Sequence, residues 1–146
     1  METNSKEVFR LNPHHTGINV KDIDSSIAWY HNILGFELIA RDLLPGRPRM
    51  AFLKSGDYYI ELFEAKNAPP LPESQLQVYS GIDETIGIKQ IAFTVDDPTG
   101  FTEMLKRNGV NITKARPDGT AQFIRDNSGN VLEFMPPGWQ PPIQPH

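Results

Sequence analysis

The chain has 146 residues, room for one domain of ordinary size. Eighteen acidic side chains against fourteen basic ones give a formal net charge of −4, the wrong sign for a nucleic-acid or anionic-membrane partner. No cysteine is present, which excludes disulfides, thiolate metal sites and cysteine nucleophiles. No apolar run approaches the ~18 residues of a spanning helix, and METNSKEVFR carries no secretory apolar stretch. The expectation is a cytoplasmic protein.

In chain order, HTGINV (15–20) alternates as a strand, and Asp24 is expected to cap a helix with Ile23, Ile27, Tyr30 and Leu34 on one face and Gly35 beyond its end. A short strand is predicted over Glu37–Asp42, then two stronger ones over Arg49–Lys54 and Tyr58–Phe63, turned at Asp57. Residues 66–87 read as a long connection, with a helical turn expected around Glu73–Val78. QIAFTV (90–95) starts a second series. Asp97-Pro98 begins a helix that places Phe101, Met104 and Leu105 inward and stops at Gly109. A weak strand near Asn111–Ala115 and two stronger ones, Ala121–Arg125 and Val131–Met135, complete it. The proline-rich tail, PPGWQPPIQPH, is expected to be extended.

The two series are copies of one plan. HTGINVKD set over QIAFTVDD matches in strand pattern, and Asp22 falls on Asp97. Each half reads β-α-β-β-β, with boundaries at about 12–65 and 88–136, the connection 66–87 between them and the tail 137–146 after them. The fold class is α+β, with a site where the halves meet.

Side chains alternate across a strand, so residues two apart share a face. Ile18 and Val20 share one face of the first strand, leaving His15 on the other; Ile60 and Leu62 leave Glu61 with Tyr59 and Phe63. Ile91, Phe93 and Val95 leave Gln90, and Leu132 with Phe134 leaves Glu133. Four times, an aliphatic face backs one polar side chain able to ligate a metal. Two carboxylates in a concave apolar sheet are costly unless a cation joins them, and this donor set suits zinc, nickel, cobalt, manganese or magnesium. By spacing alone, a glutamate at an alternate strand position also fits a solvated outer face.

At these residues the chain resembles the vicinal oxygen chelate superfamily, which includes glyoxalase I, extradiol dioxygenases, methylmalonyl-CoA epimerase and the fosfomycin and bleomycin resistance proteins. The resemblance lies in HTGINVKDIDSSIAWYHNILGFEL, IELFE, the start of KQIAFTVDD, and FIRDNSGNVLEF, and covers roughly residues 12–136. It implies two paired βαβββ modules forming a curved mixed-sheet cup with helices outside. It also implies metal ligands at His15, Glu61, Gln90 and Glu133. Gln90 departs from the family, which usually has histidine there.

One histidine, one glutamine and two glutamates resemble the donor set of eukaryotic-type glyoxalase I with its modules exchanged. The implied function is a metal-dependent glyoxalase-like lyase or isomerase that chelates vicinal oxygens of a small substrate and moves a proton through an enediolate. Glu61 is the implied base and Glu133 its counterpart, with zinc, nickel, cobalt or manganese preferred to iron. The alternatives are a non-heme iron dioxygenase and a metal-free antibiotic-binding protein. The two-histidine pattern of dioxygenases and fosfomycin-resistance enzymes is missing: His14 should face away from His15, His31 lies on a helix and His146 ends the chain. Substrate candidates are Arg49 and Arg125, with Arg47 and Arg116 beside them, for an anionic group, and Tyr59 and Phe63 for an apolar wall. Trp29 and Tyr30 read as helix packing. A homodimer is expected, because open modules leave sheet edges to cover.

Overall fold

The computed structural model describes residues 9–46, 48–72, 86–114, 121–143 and 145. The fold is α+β, built from two βαβββ modules. The first consists of β1 (His15–Val20), α1 (Ile23–Leu34), β2 (Glu37–Arg41), β3 (Met50–Ser55) and β4 (Tyr58–Glu64). The second consists of β5 (Ile91–Thr94), α2 (Pro98–Arg107), β6 (Thr113–Lys114), β7 (Gln122–Arg125) and β8 (Val131–Met135). The strand orders are β1-β4-β3-β2 and β5-β8-β7-β6. In each sheet the outermost first strand runs parallel to the last, and the other pairs are antiparallel. The helical turn expected around Glu73–Val78 lies outside the described residues. No helix among them is long and apolar enough to cross a membrane.

The helix ends are set locally. Asp22, in an extended conformation, accepts from the Ser25 amide at 2.8 Å and caps α1. Asp24, the expected cap, lies two residues past it, already inside the first turn, where its oxygen cannot cap because a cap must precede the helix to reach the free amides. Gly35 ends α1 at φ 72°, where a side chain would strain the backbone. In the second module Asp97 accepts from the Gly100 amide at 3.1 Å, and Pro98 begins α2 where no amide hydrogen is needed.

One core serves both modules. Ile18, Val20, Leu53, Ile60 and Leu62 of the first sheet join Ile124, Leu132 and Phe134 of the second, with Ile23, Tyr30 and Leu105 from the helices. Truncating a fully buried leucine such as Leu62 or Leu132 would cost roughly 2–5 kcal/mol. Phe93 meets Phe36 and Tyr58 across the modules, at ring separations of 6.1 and 5.9 Å.

A polar bolt crosses the same boundary. The Tyr30 hydroxyl donates to Asp126 Oδ2 at 2.7 Å, and both residues are buried. Asp126 also accepts from the Ser128 and Asn130 amides and from Asn130 Nδ2. Asn130 Nδ2 reaches Asn19 O at 3.0 Å, and the Lys21 amide donates to Ser128 Oγ at 2.9 Å. The turn between β7 and β8 is thereby tied to the first module. Burial, and then the Asp126 charge, push the Tyr30 phenol well above its ordinary range, so it remains a donor.

Candidate functional site

Strand register brings the predicted residues together in pairs. In the parallel β1–β4 pair, His15 stands opposite Tyr59 and Gly17 opposite Glu61. His15 and Glu61 therefore share a face two register steps apart, and their Nε2 and Oε2 atoms lie 3.4 Å from each other. In β5–β8, Ala92 stands opposite Glu133, and Gln90 precedes Ala92 by the same two residues. Gln90 Nε2 donates to Glu133 Oε2 at 3.1 Å. The same diagonal recurs because both modules have the same strand order and parallel pairing.

The pairs differ in surroundings. His15 and Glu61 are partly open, with 38% and 18% of their side chains exposed. Glu133 is buried, beside a small apolar cluster of Ala121, Phe123, Val131 and Met135. By alternation, His15, Glu61 and Glu133 occupy the faces of their sheets turned away from the shared core, and Gln90, just ahead of β5, joins Glu133 there through its hydrogen bond. Among the described residues no three histidine, aspartate or glutamate side chains converge on one point. A single chain therefore presents two candidate half-sites.

These residues suit a divalent cation. Imidazole, amide oxygen and two carboxylates are a hard-to-borderline set. The Gln90 amide spends its nitrogen on Glu133, while its Oε1 is buried with no hydrogen-bond partner among the described residues. A buried acceptor without a donor is costly, and ligation would relieve that cost.

The first half-site has an aromatic wall. Phe52 stands opposite Glu61, and its ring lies 5.5 Å from that of His15. Phe63 leans across Gly17, where an added Cβ would come within 3.3 Å of its ring. Tyr59 carries Lys54 Nζ 5.4 Å from its ring centre. Phe52 and Lys54 were missed from the sequence, although alternation in MAFLKS and the turn at Asp57 already imply their side. His14 was misjudged. Its ring stacks on Tyr59 at 5.4 Å and 17°, and its Nδ1 lies 2.8 Å from His15 Nδ1. Alternation does not govern His14, because it precedes the strand.

The arginines resolve differently. Arg49 is turned to the helix, donating to Asp24 at 3.0 and 3.3 Å, with Arg41 on the same carboxylate at 2.7 Å. These hydrogen bonds, first from Arg49 and then from Arg41, lower the Asp24 pKa to about 2. Arg49 thus serves the α1 surface, not the face that carries Glu61. Arg125 lines a cleft of about 560 Å³ with Trp29, Ile33, Val110, Phe123 and Val131, and the four predicted ligands lie outside that lining. Arg47 and Arg116 lie outside the described residues. His31 bonds the Phe36 carbonyl at 2.9 Å, a structural role.

Comparison with known proteins places this geometry. The metallothiol transferase FosB of Staphylococcus epidermidis is 31% identical over 129 residues, covering 84% of this chain and 80% of its own. A lactoylglutathione lyase of Neisseria meningitidis is 30% identical over 127 residues, covering 83% and 87%. Two enzyme classes thus match almost equally, one of them a class that the histidine pattern had set aside. The glyoxalase I structure of Leishmania major superposes with a TM-score of 0.63 at 22% identity over 84% of each chain, a likeness of fold. The family model of the Glyoxalase/Bleomycin resistance protein/Dioxygenase superfamily matches residues 12–134, and the chain belongs to that superfamily.

Proposed function

We propose that this chain is a metal-dependent lyase or isomerase of the glyoxalase type, acting on a small substrate with two neighbouring oxygens. The observation that carries the reading is the repeated diagonal pair, His15 with Glu61 and Gln90 with Glu133. These four residues would hold zinc, nickel, cobalt or manganese in preference to iron, since only one imidazole is in the set. When bound, such an ion supplies Lewis acidity that stabilises negative charge on vicinal oxygens.

The chain's own groups supply the rest. Glu61, partly open and flanked by Tyr59 and Phe63, is the base that takes a proton from a carbon beside those oxygens and returns it to the next. The aromatic wall of Phe52, Tyr59 and Phe63 limits water around that carboxylate. Gln90 orients Glu133 through its amide hydrogen, leaving Glu133 the more fixed of the two carboxylates.

The half-sites must meet for this chemistry, and among the described residues of one chain they do not converge. A second copy offering the complementary face completes the set, so the working unit is a homodimer. The terminal positions of β1 and β5 in their sheets support it, because both leave an edge to cover. Sedimentation at micromolar concentration is expected to give twice the monomer mass; a monomer would defeat the shared site.

The test of function is metal-dependent exchange of carbon-bound hydrogen for deuterium in small α-hydroxycarbonyl compounds, followed by NMR. Parent protein loaded with zinc, nickel or manganese is expected to catalyse exchange, and Glu61→Gln to lose it while retaining the fold. Metal binding without exchange in any such compound would turn the assignment toward a transferase. Oxygen consumption with iron would turn it toward a dioxygenase.

A further inference from the structure

We propose that His14 is a positioning residue for the metal centre, holding His15 in the tautomer that can ligate. The inference rests on the metal reading above and adds to it a residue outside the four donors. A neutral imidazole carries one proton, so the nitrogen that binds a cation must be bare and the other must donate to an acceptor. His15 turns Nε2 toward Glu61, at 3.4 Å, and Nδ1 toward His14 Nδ1, at 2.8 Å. The ligating nitrogen is therefore Nε2, and the acceptor for the other proton is the neighbouring histidine. His14 takes that role with its own proton on Nε2.

Two groups compete for the His15 proton. Glu61 draws it to Nε2, where it would block ligation, and His14 draws it to Nδ1, where it leaves Nε2 open. The geometry favours His14, whose contact has hydrogen-bond length at 2.8 Å, whereas 3.4 Å to Glu61 is too long for a good one. The acceptor is braced: the His14 ring stacks on Tyr59, Lys54 lies over the same tyrosine, and the Tyr59 amide donates to the His14 carbonyl at 3.4 Å. Tyr59 lies two residues before Glu61 on β4. Acceptor, ligand and carboxylate are thus fixed to the same pair of strands, and loss of the acceptor leaves Glu61 unopposed.

Two substitutions separate hydrogen bonding from packing. His14→Phe keeps a ring for Tyr59 and removes the acceptor; His14→Asn removes the ring and places a carbonyl oxygen near the position of Nδ1. Titration of the full-length protein with zinc and manganese is expected to show affinity falling about 10–100-fold in His14→Phe, with most of it restored in His14→Asn. Long-range nitrogen-15 NMR of the metal-free protein, at a pH where both rings are neutral, is expected to show less Nδ1–H tautomer at His15 in His14→Phe than in the parent. Parent-like affinity and tautomer populations in His14→Phe would overturn the proposal. Should the parent bind no divalent ion, the functional reading fails, and the tautomer shift alone decides whether His14 holds His15.

Discussion

The two modules set the same diagonal of donors on the same pair of strands, in different surroundings. In the first, a histidine and a glutamate face each other across 3.4 Å, partly in solvent, behind three aromatic rings. In the second, an amide is hydrogen-bonded to a buried glutamate beside an apolar cluster. A carboxylate in a dry setting acts on a cation through a lower effective dielectric than one near water. On the proposed metal-dependent reading, the second half-site is the stronger electrostatic anchor, and the first is the one a substrate reaches. The plan occurs twice, and on this reading burial divides the labour.

That division can be broken most directly at the glutamates. Glu133→Gln is expected to lower metal affinity by more than about 100-fold, beyond what loss of an outer partner costs, and Glu61→Gln by less. Chelator competition measures both. Equal small losses would mean the halves are not differentiated, and parent-like binding by both variants would remove the site. The next effect is structural. Tyr30→Phe withdraws a hydrogen bond from the Asp126 carboxylate and should cost about 1.5–3 kcal/mol of stability, read as a lower denaturation midpoint. An unmoved midpoint would show that the Tyr30–Asp126 hydrogen bond adds nothing to what holds the modules together. The smallest effects belong to the helix caps. Asp97→Ala should cost about 1 kcal/mol, and Asp22→Ala should also lower the midpoint, whereas Asp24→Ala should change it less because it removes only exposed ion pairs.

The strands, both helices and the sidedness of His15, Glu61 and Glu133 were legible in the sequence because they follow from local rules, whereas Gln90 precedes β5 and is placed by its hydrogen bond to Glu133. Alternation in HTGINV or VLEFM is fixed by strand geometry, and the pairing of Ile60 and Leu62 against Glu61 needs no knowledge of any other element. The cap at Asp22 was misplaced by two residues, since Asp22 and Asp24 carry the same chemistry and only the backbone conformation at Asp22 selects it.

What the tertiary structure alone decided are relations between distant residues. Arg49 pairs with Asp24 because β3 passes the start of α1, and His14 turns onto Tyr59 because the chain ahead of β1 is free of alternation. Tyr30 reaches Asp126 only because the helix-bearing faces of both sheets close on one core. The sequence determined that each half carries an aliphatic face and a pair of donors behind it, since side-chain direction is set by the backbone at that residue. It could not determine that the aliphatic faces meet in one core and that the two donor pairs do not converge, because that depends on which of two apolar surfaces finds the other.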